Sequence, residues 1–417
     1  MRLRRAARTF PAVTVTGPRQ SGKSTLCQAV FPKHQYANLE APDIRRYAQE
    51  DPRGFLNQYA RGAVIDEVQR CPELPSYLQP LIDAGPTPGR WILTGSQNLA
   101  PLESVSQSLA GRTAVLHLLP LARTEVCRFD TFPTSLDETL YSGGYPRIFD
   151  RRLDPSEWLG PYVATYIERD VRTLLRVGDL ITFQRFVELC AGRTGQLLNL
   201  SALAGDCGIS QPTAKAWLSV LETTFIVYRL PSYSRNLRKR VVKMPKLHFY
   251  DTGLVCWLLG IRSAEQLRAH PLRGAIFETW MASEILKQRV HRGESPGLFY
   301  YRDSHGAEAD LVIPEGERIT LAETKSGATV STDMLDAVRR VRTGFTSRAL
   351  PGGGSGLRWG NAAEAIGHYG PPLDRDSRPP MVTGERHCGS PVLCGVPLPF
   401  RTSCHARPAL LPYESQR

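Results

Sequence analysis

A glycine-rich turn set between a β-branched run and a helical stretch constrains this chain more than any other feature. Residues 12–16 (AVTVT) are apolar and β-branched, so they read as a buried strand. Gly17, Pro18, Arg19, Gln20, Ser21, Gly22, Lys23, Ser24 and Thr25 follow at once, and a helical stretch runs on to Val30. This is G-x-x-x-x-G-K-[ST] in the context it requires, where backbone N–H groups turn towards phosphate and a helix N-terminus adds partial positive charge. The residue types assign roles within an ATP site. The nine loop residues cradle the phosphates, Lys23 reaches the β- and γ-phosphates, and the Ser24 hydroxyl ligates magnesium.

Further elements complete such a site. Residues 62–67 (GAVIDE) read as a second buried strand ending in two acids. Asp66 is expected to hold magnesium through water, since that ion keeps most of its hydration shell, and Glu67 to polarise the attacking water. A third strand, residues 90–94, ends in a polar turn where Ser96 is the expected γ-phosphate sensor, with Gln97 and Asn98 behind it. Arg112 stands just before the next strand. It suits either transition-state charge stabilisation, in cis or from a neighbouring subunit of a homo-oligomer, or a surface salt bridge. Strands near 13, 35, 62, 90 and 113 alternate with helical segments, which implies a parallel sheet covered on both faces. ATP belongs beyond the carboxyl ends of its strands.

The segments GPRQSGKST, NLEAPDIRRYAQEDP, VIDEVQRCPELPSYLQPLID, ILTGSQN and SLAGR, in this order, resemble a widespread prokaryotic family of AAA-type ATPases. Its members carry a C-terminal domain of uncharacterised function. The likeness spans roughly residues 5 to 340 and implies ATPase activity without naming a substrate.

Gly143-Gly144-Tyr145-Pro146 is a turn and a plausible boundary. A helix is expected from Trp158 to Val177 with Glu168, Arg169, Asp170 and Arg172 exposed. Residues 181–232 then read as helix, helix, turn, helix and strand, with caps at Ser201 and Ser210 and Pro212 early in the third helix. That order suggests a winged helix-turn-helix. As a DNA reader it would present Gln211, Thr213 and Lys215 to the major groove. Arg235, Arg238, Lys239, Arg240, Lys243 and Lys246 would neutralise phosphates. The plainer reading is a packing module with a solvated basic loop. The formal charge of +12 suits a polyanionic partner without naming one.

Towards the C-terminus, Glu278 lies in an apolar helix and residues 298–302 read as a strand. Asp310 opens a second strand, and Glu323 and Lys325 share one face of a third. Helix-Glu, strand-Asp and strand E-x-K form the PD-(D/E)XK order of restriction-endonuclease-like folds. Asp310 and Glu323, with Glu278, would supply oxygen ligands for magnesium, and Lys325 would orient a water. A fold that keeps this shape without cleavage is the alternative.

The expected architecture is α/β throughout. A P-loop NTPase of RecA/AAA-like parallel sheet (residues 1–140) is followed by a helical linker and winged helix (141–255). A nuclease-like domain (256–342) and an irregular tail (343–417) complete it. The tail is proline-rich and aperiodic from about residue 343, as a disordered linker would be. Codons chosen among those permitted for residues 356–370, read one base later, give VYGGETPQKRSGIT. That peptide resembles the strand, Gly-Gly turn and charged segment with which the family ends, so the tail is read as frameshifted. ATP and magnesium are the expected cofactors and DNA the expected partner. No membrane span is expected, and the location is expected to be cytoplasmic. The alternative function is a signalling or adaptor ATPase whose C-terminal half binds protein and cuts nothing.

Overall fold

The computed structural model describes residues 2–96, 109–166, 180–234, 243–303, 307–315, 318–324, 365–368 and 392–393. Five parallel strands form the first sheet: β1 (Ala12–Thr16), β2 (Gln35–Asn38), β3 (Ala63–Asp66), β4 (Trp91–Gly95) and β5 (Thr113–His117), in the order β2-β3-β4-β1-β5. Alternation along the strands sorts the side chains onto two faces. Val13, Val15, Val64 and Ile92 meet Leu3, Ala6 and Ala7 of the helix Arg2–Ala7. Ala12, Ala63, Ile65, Trp91 and Leu93 meet Phe55, Leu56, Leu74, Leu78 and Ile82 on the other face. Burying each large apolar side chain contributes about 1.5–3 kcal/mol, so both layers are needed to hold the sheet.

Among the described residues that follow, a small cluster joins Tyr233 to Ala309, Val312, Ile319 and Leu321, and a larger core runs from Val126 to Ala322. It crosses the boundary expected at residues 255 and 256. Three helices, Leu180–Ala191, Leu200–Cys207 and Gln211–Thr223, precede the antiparallel pair β6 (Val227–Leu230) and β7 (Lys246–Phe249). Asn199, and not Ser201, caps the second helix by accepting from Ala202 N at 3.1 Å. Ser210 caps the third through Thr213 N at 3.2 Å. The strand that closes this order begins at Val227, since the Thr224 hydroxyl bonds back to Val220 O at 2.7 Å at the helix end. The helix expected over 158–177 is described as Pro155–Tyr166, and its four charged residues lie outside the described residues.

The 20-residue helix Arg273–Arg292 packs on a second sheet. Its strands are β8 (Phe299–Arg302), β9 (Glu308–Glu315), β10 (Arg318–Thr324), β11 (Ala365–His368) and β12 (Val392–Leu393), in the order β12-β11-β10-β9-β8. Two of these strands, residues 365–368 and 392–393, come from the tail expected to be irregular and frameshifted. Cys27, Cys190 and Cys256 are buried and free. Among the described residues no helix is long and apolar enough to cross a membrane.

Candidate active site

The P-loop follows the carboxyl end of β1. Gly17 has no alternative there, because a Cβ on it would stand 2.0 Å from Leu118 O. Gly22 turns into the helix Lys23–Val30 at φ 90°, a left-handed conformation that favours glycine. Lys23 is 4% exposed, and its ammonium donates to Gly17 O at 3.0 Å and Pro18 O at 2.8 Å, folding the loop over its own base. Ser21 Oγ is buried and has no hydrogen-bond partner among the described residues. A buried hydroxyl in need of a partner, a buried cation and a helix N-terminus together fit the phosphates of a nucleotide. Arg19 lies 3.8 Å from Glu40, and Gln20 takes a left-handed φ of 59°. Thr25 is exposed on the following helix. Burial raises the nearby Cys27 thiol to about 12, with the Asp66 charge adding to the shift, so this cysteine stays protonated.

Asp66 ends β3 beside the loop, and three hydroxyls converge on its carboxylate. Ser24 Oγ donates to Oδ2 at 2.7 Å, Tyr36 Oη donates to Oδ2 at 2.5 Å, and Thr94 Oγ1 donates to Oδ1. Glu67 follows with φ 57° and ψ 47°, a conformation that costs a non-glycine residue of order 1–3 kcal/mol and is concentrated at functional sites. Its Oε2 accepts from Ser96 Oγ at 3.2 Å and from Gln69 Nε2, which also donates to Ser96 Oγ at 3.0 Å. Ser96 thus lies beside Glu67, while Gln97 and Asn98 fall outside the described residues.

Arg112 is elsewhere. It precedes β5, and its carbonyl accepts from Ala12 N at 3.3 Å, so it sits at the amino ends of the strands. The P-loop lies at the opposite ends, roughly 16 Å away along a five-residue strand. The Arg112 guanidinium forms a two-armed pair with Asp83 at 2.6 and 2.9 Å. The cis role expected of Arg112 is therefore corrected to the alternative of a surface salt bridge. Exposed pairs of this kind contribute little, so Arg112→Ala should leave the midpoint of a denaturant titration close to the wild-type value. Turnover of a monomeric preparation should stay at the wild-type level.

The turn at residues 143–146 joins this site to the C-terminal half. Leu121 N donates to Gly144 O at 2.7 Å, and Gly144 N donates to Asp251 Oδ2 at 2.7 Å. Pro146 Cγ lies 3.9 Å from where a Cβ on Gly22 would stand, which puts the proline against the P-loop. Asp251 also caps the helix Thr252–Leu258, and burial raises its carboxyl above the usual range. Nearby, Glu284 accepts from Arg123 N at 2.7 Å, and Lys287 bridges Glu284 and Leu121 O at 3.1 Å each.

The C-terminal acids form a different arrangement from the one expected. Lys246, expected on a solvated basic loop, opens β7 and is buried. Its ammonium lies 2.9 Å from Glu278, 3.0 Å from Glu308 and 3.5 Å from Asp310. Burial, with Asp310 close by, pushes Glu278 up to about 8, while the surrounding carboxylates hold Lys246 in its charged form. His248 is fully buried, and burial followed by the Lys246 charge lowers it to about 3, so it is neutral. Asp310 Oδ2 accepts from Thr324 N at 2.8 Å and Thr324 Oγ1 at 2.7 Å, and Glu323 is buried on the same strand as Thr324. No group of three or more acidic, histidine or cysteine ligands spaced for a metal occurs among the described residues. The expected set of Glu278, Asp310 and Glu323 is thus not gathered as metal ligands. An ammonium stands among the acids instead, and Lys325 lies outside the described residues.

On the third helix of the middle segment, Gln211 and Lys215 are exposed, and the Thr213 hydroxyl pairs with Ser210 at 2.8 Å. Lys243 donates to Arg302 O at 2.9 Å, and Arg235, Arg238, Lys239 and Arg240 lie outside the described residues. Sequence reasoning missed Tyr36, Gln69, Thr94 and His248. Tyr36 and Thr94 left a signal, since each lies on a strand that pairs with or extends beside the strand of Asp66.

The parallel sheet, the P-loop and the two acids define an ATP-binding ATPase of the AAA type, and residues 9–127 match an AAA domain. Residues 133–265 and 273–353 match two domains of unknown function (DUF8612 and DUF4143). The uncharacterized protein Rv2008c of Mycobacterium tuberculosis is 31% identical over 361 residues, covering 84% of this chain and 79% of that protein. The uncharacterized protein Mb2031c of Mycobacterium bovis is 31% identical over the same span. The chain belongs to the family of these two mycobacterial proteins. Among solved structures, the Walker-type ATPase PABY2304 of Pyrococcus abyssi is similar with a TM-score of 0.42 and 14% identity, over 61% of this chain and 93% of that one.

Proposed function

We propose that the chain is a magnesium-dependent ATPase whose nucleotide state alters how its C-terminal half engages DNA. One observation carries the reading: the turn at 143–146 is pinned between Leu121 and Asp251 and laid against Gly22 of the P-loop. A change in the loop therefore reaches the C-terminal core through direct contact. Within the site, Lys23 leaves its loop carbonyls for phosphate, Ser24 and Asp66 hold the metal, and Glu67, steadied by Ser96 and Gln69, polarises the attacking water. Magnesium, when bound there, would supply positive charge to the phosphates. The three helices and the β6–β7 pair support a winged helix-turn-helix, with Gln211 and Lys215 on its exposed face.

The adaptor reading is favoured by Lys246, which already pairs with Glu278 and Asp310, two of the acids a nuclease would offer to a metal. ATP turnover measured with and without a panel of DNA and RNA separates the two. DNA should change turnover, and its affinity should fall with salt by a log–log slope of about 0.9 per phosphate contacted. Charge reversal at Arg238, Lys239 and Arg240 should flatten that slope. Turnover indifferent to every nucleic acid, with no binding at low salt, leaves the adaptor reading.

A further inference from the structure

We propose that Tyr36 is a positioning residue for magnesium, acting through Asp66. This rests on the ATP-site reading above and extends it to a residue outside the P-loop and the acidic pair. Tyr36 lies on β2, the edge strand, where Tyr36 is paired with Val64 and Asn38 with Asp66. Its phenol reaches along the strand to Asp66 and donates at 2.5 Å, although the residue is 40% exposed. A phenol with that much access to solvent could satisfy its hydroxyl with water, so a short bond to a buried carboxylate reflects geometry and not necessity.

The bond matters because of how many acceptors Asp66 has. A carboxylate offers about four lone-pair positions. Ser24 and Tyr36 occupy both on Oδ2, and Thr94 occupies one on Oδ1. One position remains, on Oδ1, for a water of the metal's hydration shell. The carboxylate cannot rotate about its Cβ–Cγ bond without breaking three hydrogen bonds, so the remaining acceptor points in one direction. Without the phenol, Oδ2 keeps only Ser24, the carboxylate gains torsional freedom, and Ser24 loses the fixed partner that orients its own oxygen. Partners bonded directly to a metal ligand typically contribute about 10–100-fold to metal affinity, and Tyr36, one step further out, is assigned the lower end of that range, about 10-fold.

Tyr36→Phe tests the proposal, since it keeps the ring and removes only the hydroxyl. The full chain is titrated with manganese in the presence of a non-hydrolysable ATP analogue, and free manganese is followed by electron paramagnetic resonance. Affinity for a fluorescent ATP analogue is measured separately in EDTA. Metal affinity should weaken about 10-fold, while metal-free nucleotide affinity stays within about two-fold, a split that a loosened pocket would not produce. Manganese affinity within about two-fold of wild type overturns the proposal, as does an equal loss of metal-free nucleotide binding. A wild-type chain that binds no nucleotide overturns the ATP-site reading and this proposal together. A wild type that binds both ligands beside an unaltered Tyr36→Phe overturns this proposal alone.

Discussion

Glu67→Gln should leave ATP bound and slow its hydrolysis by about 10²–10⁴-fold, the range by which a positioned general base accelerates proton transfer. The geometry makes this substitution a clean one. Glu67 Oε2 accepts from Ser96 and Gln69, and the carbonyl oxygen of a glutamine can accept the same two bonds. The side chain therefore stays in place on its left-handed backbone, and only the negative charge and the proton-accepting capacity disappear. Equilibrium binding of a fluorescent ATP analogue and single-turnover phosphate release together check the outcome. Lys23→Ala provides the contrast, because removing the buried cation should abolish most nucleotide affinity. A Glu67→Gln chain that turns over at the wild-type rate sinks the assignment of Glu67.

Much of the ATP site is readable in one dimension because its parts are local. A β-branched run, a glycine turn and a helix start within 14 residues of sequence, from Ala12 to Thr25, leave the chain few ways to fold. A continuous apolar run predicts a strand covered on both faces, and Ala12–Thr16 and Ala63–Asp66 are buried throughout. What sequence hides is the convergence of distant residues. Tyr36 and Thr94 meet Asp66 across sequence separations of 30 and 28 residues, and neither carries a motif of its own. Arg112 shows the converse. Its place before a strand was visible, but which end of the sheet that placed it on depends on all connections being parallel crossovers. Lys246 was misread for a related reason. It follows a cluster of cations in sequence, so it looked solvated, yet β7 carries it to the junction of the helix Arg273–Arg292 and β9.

Lys246→Met should destabilise the C-terminal half by about 3–5 kcal/mol, the cost of leaving buried charges without their counter-ion. Three elements meet at this ammonium: β7, the long helix through Glu278, and β9 through Glu308 and Asp310. The hairpin is also fastened to β8, where Tyr300 N donates to Pro231 O at 3.0 Å. The module should therefore loosen from the sheet without unfolding into pieces. The loss should grow with pH. Burial and the Asp310 charge push the Glu278 carboxyl up to about 8 with Lys246 in place, and losing that cation raises it further, so in the variant Glu278 keeps its proton at pH 6 and gives it up, at increasing cost, as the pH climbs towards and beyond 9. Urea unfolding of wild type, Lys246→Met and the double variant Lys246→Met/Glu278→Gln at both pH values measures this. The double variant should recover part of the loss at pH 9, because one of the stranded acids is gone. A single variant within about 1 kcal/mol of wild type at pH 9 would show that Lys246 does not hold the cluster together, and the acids would then be free to take a metal after all.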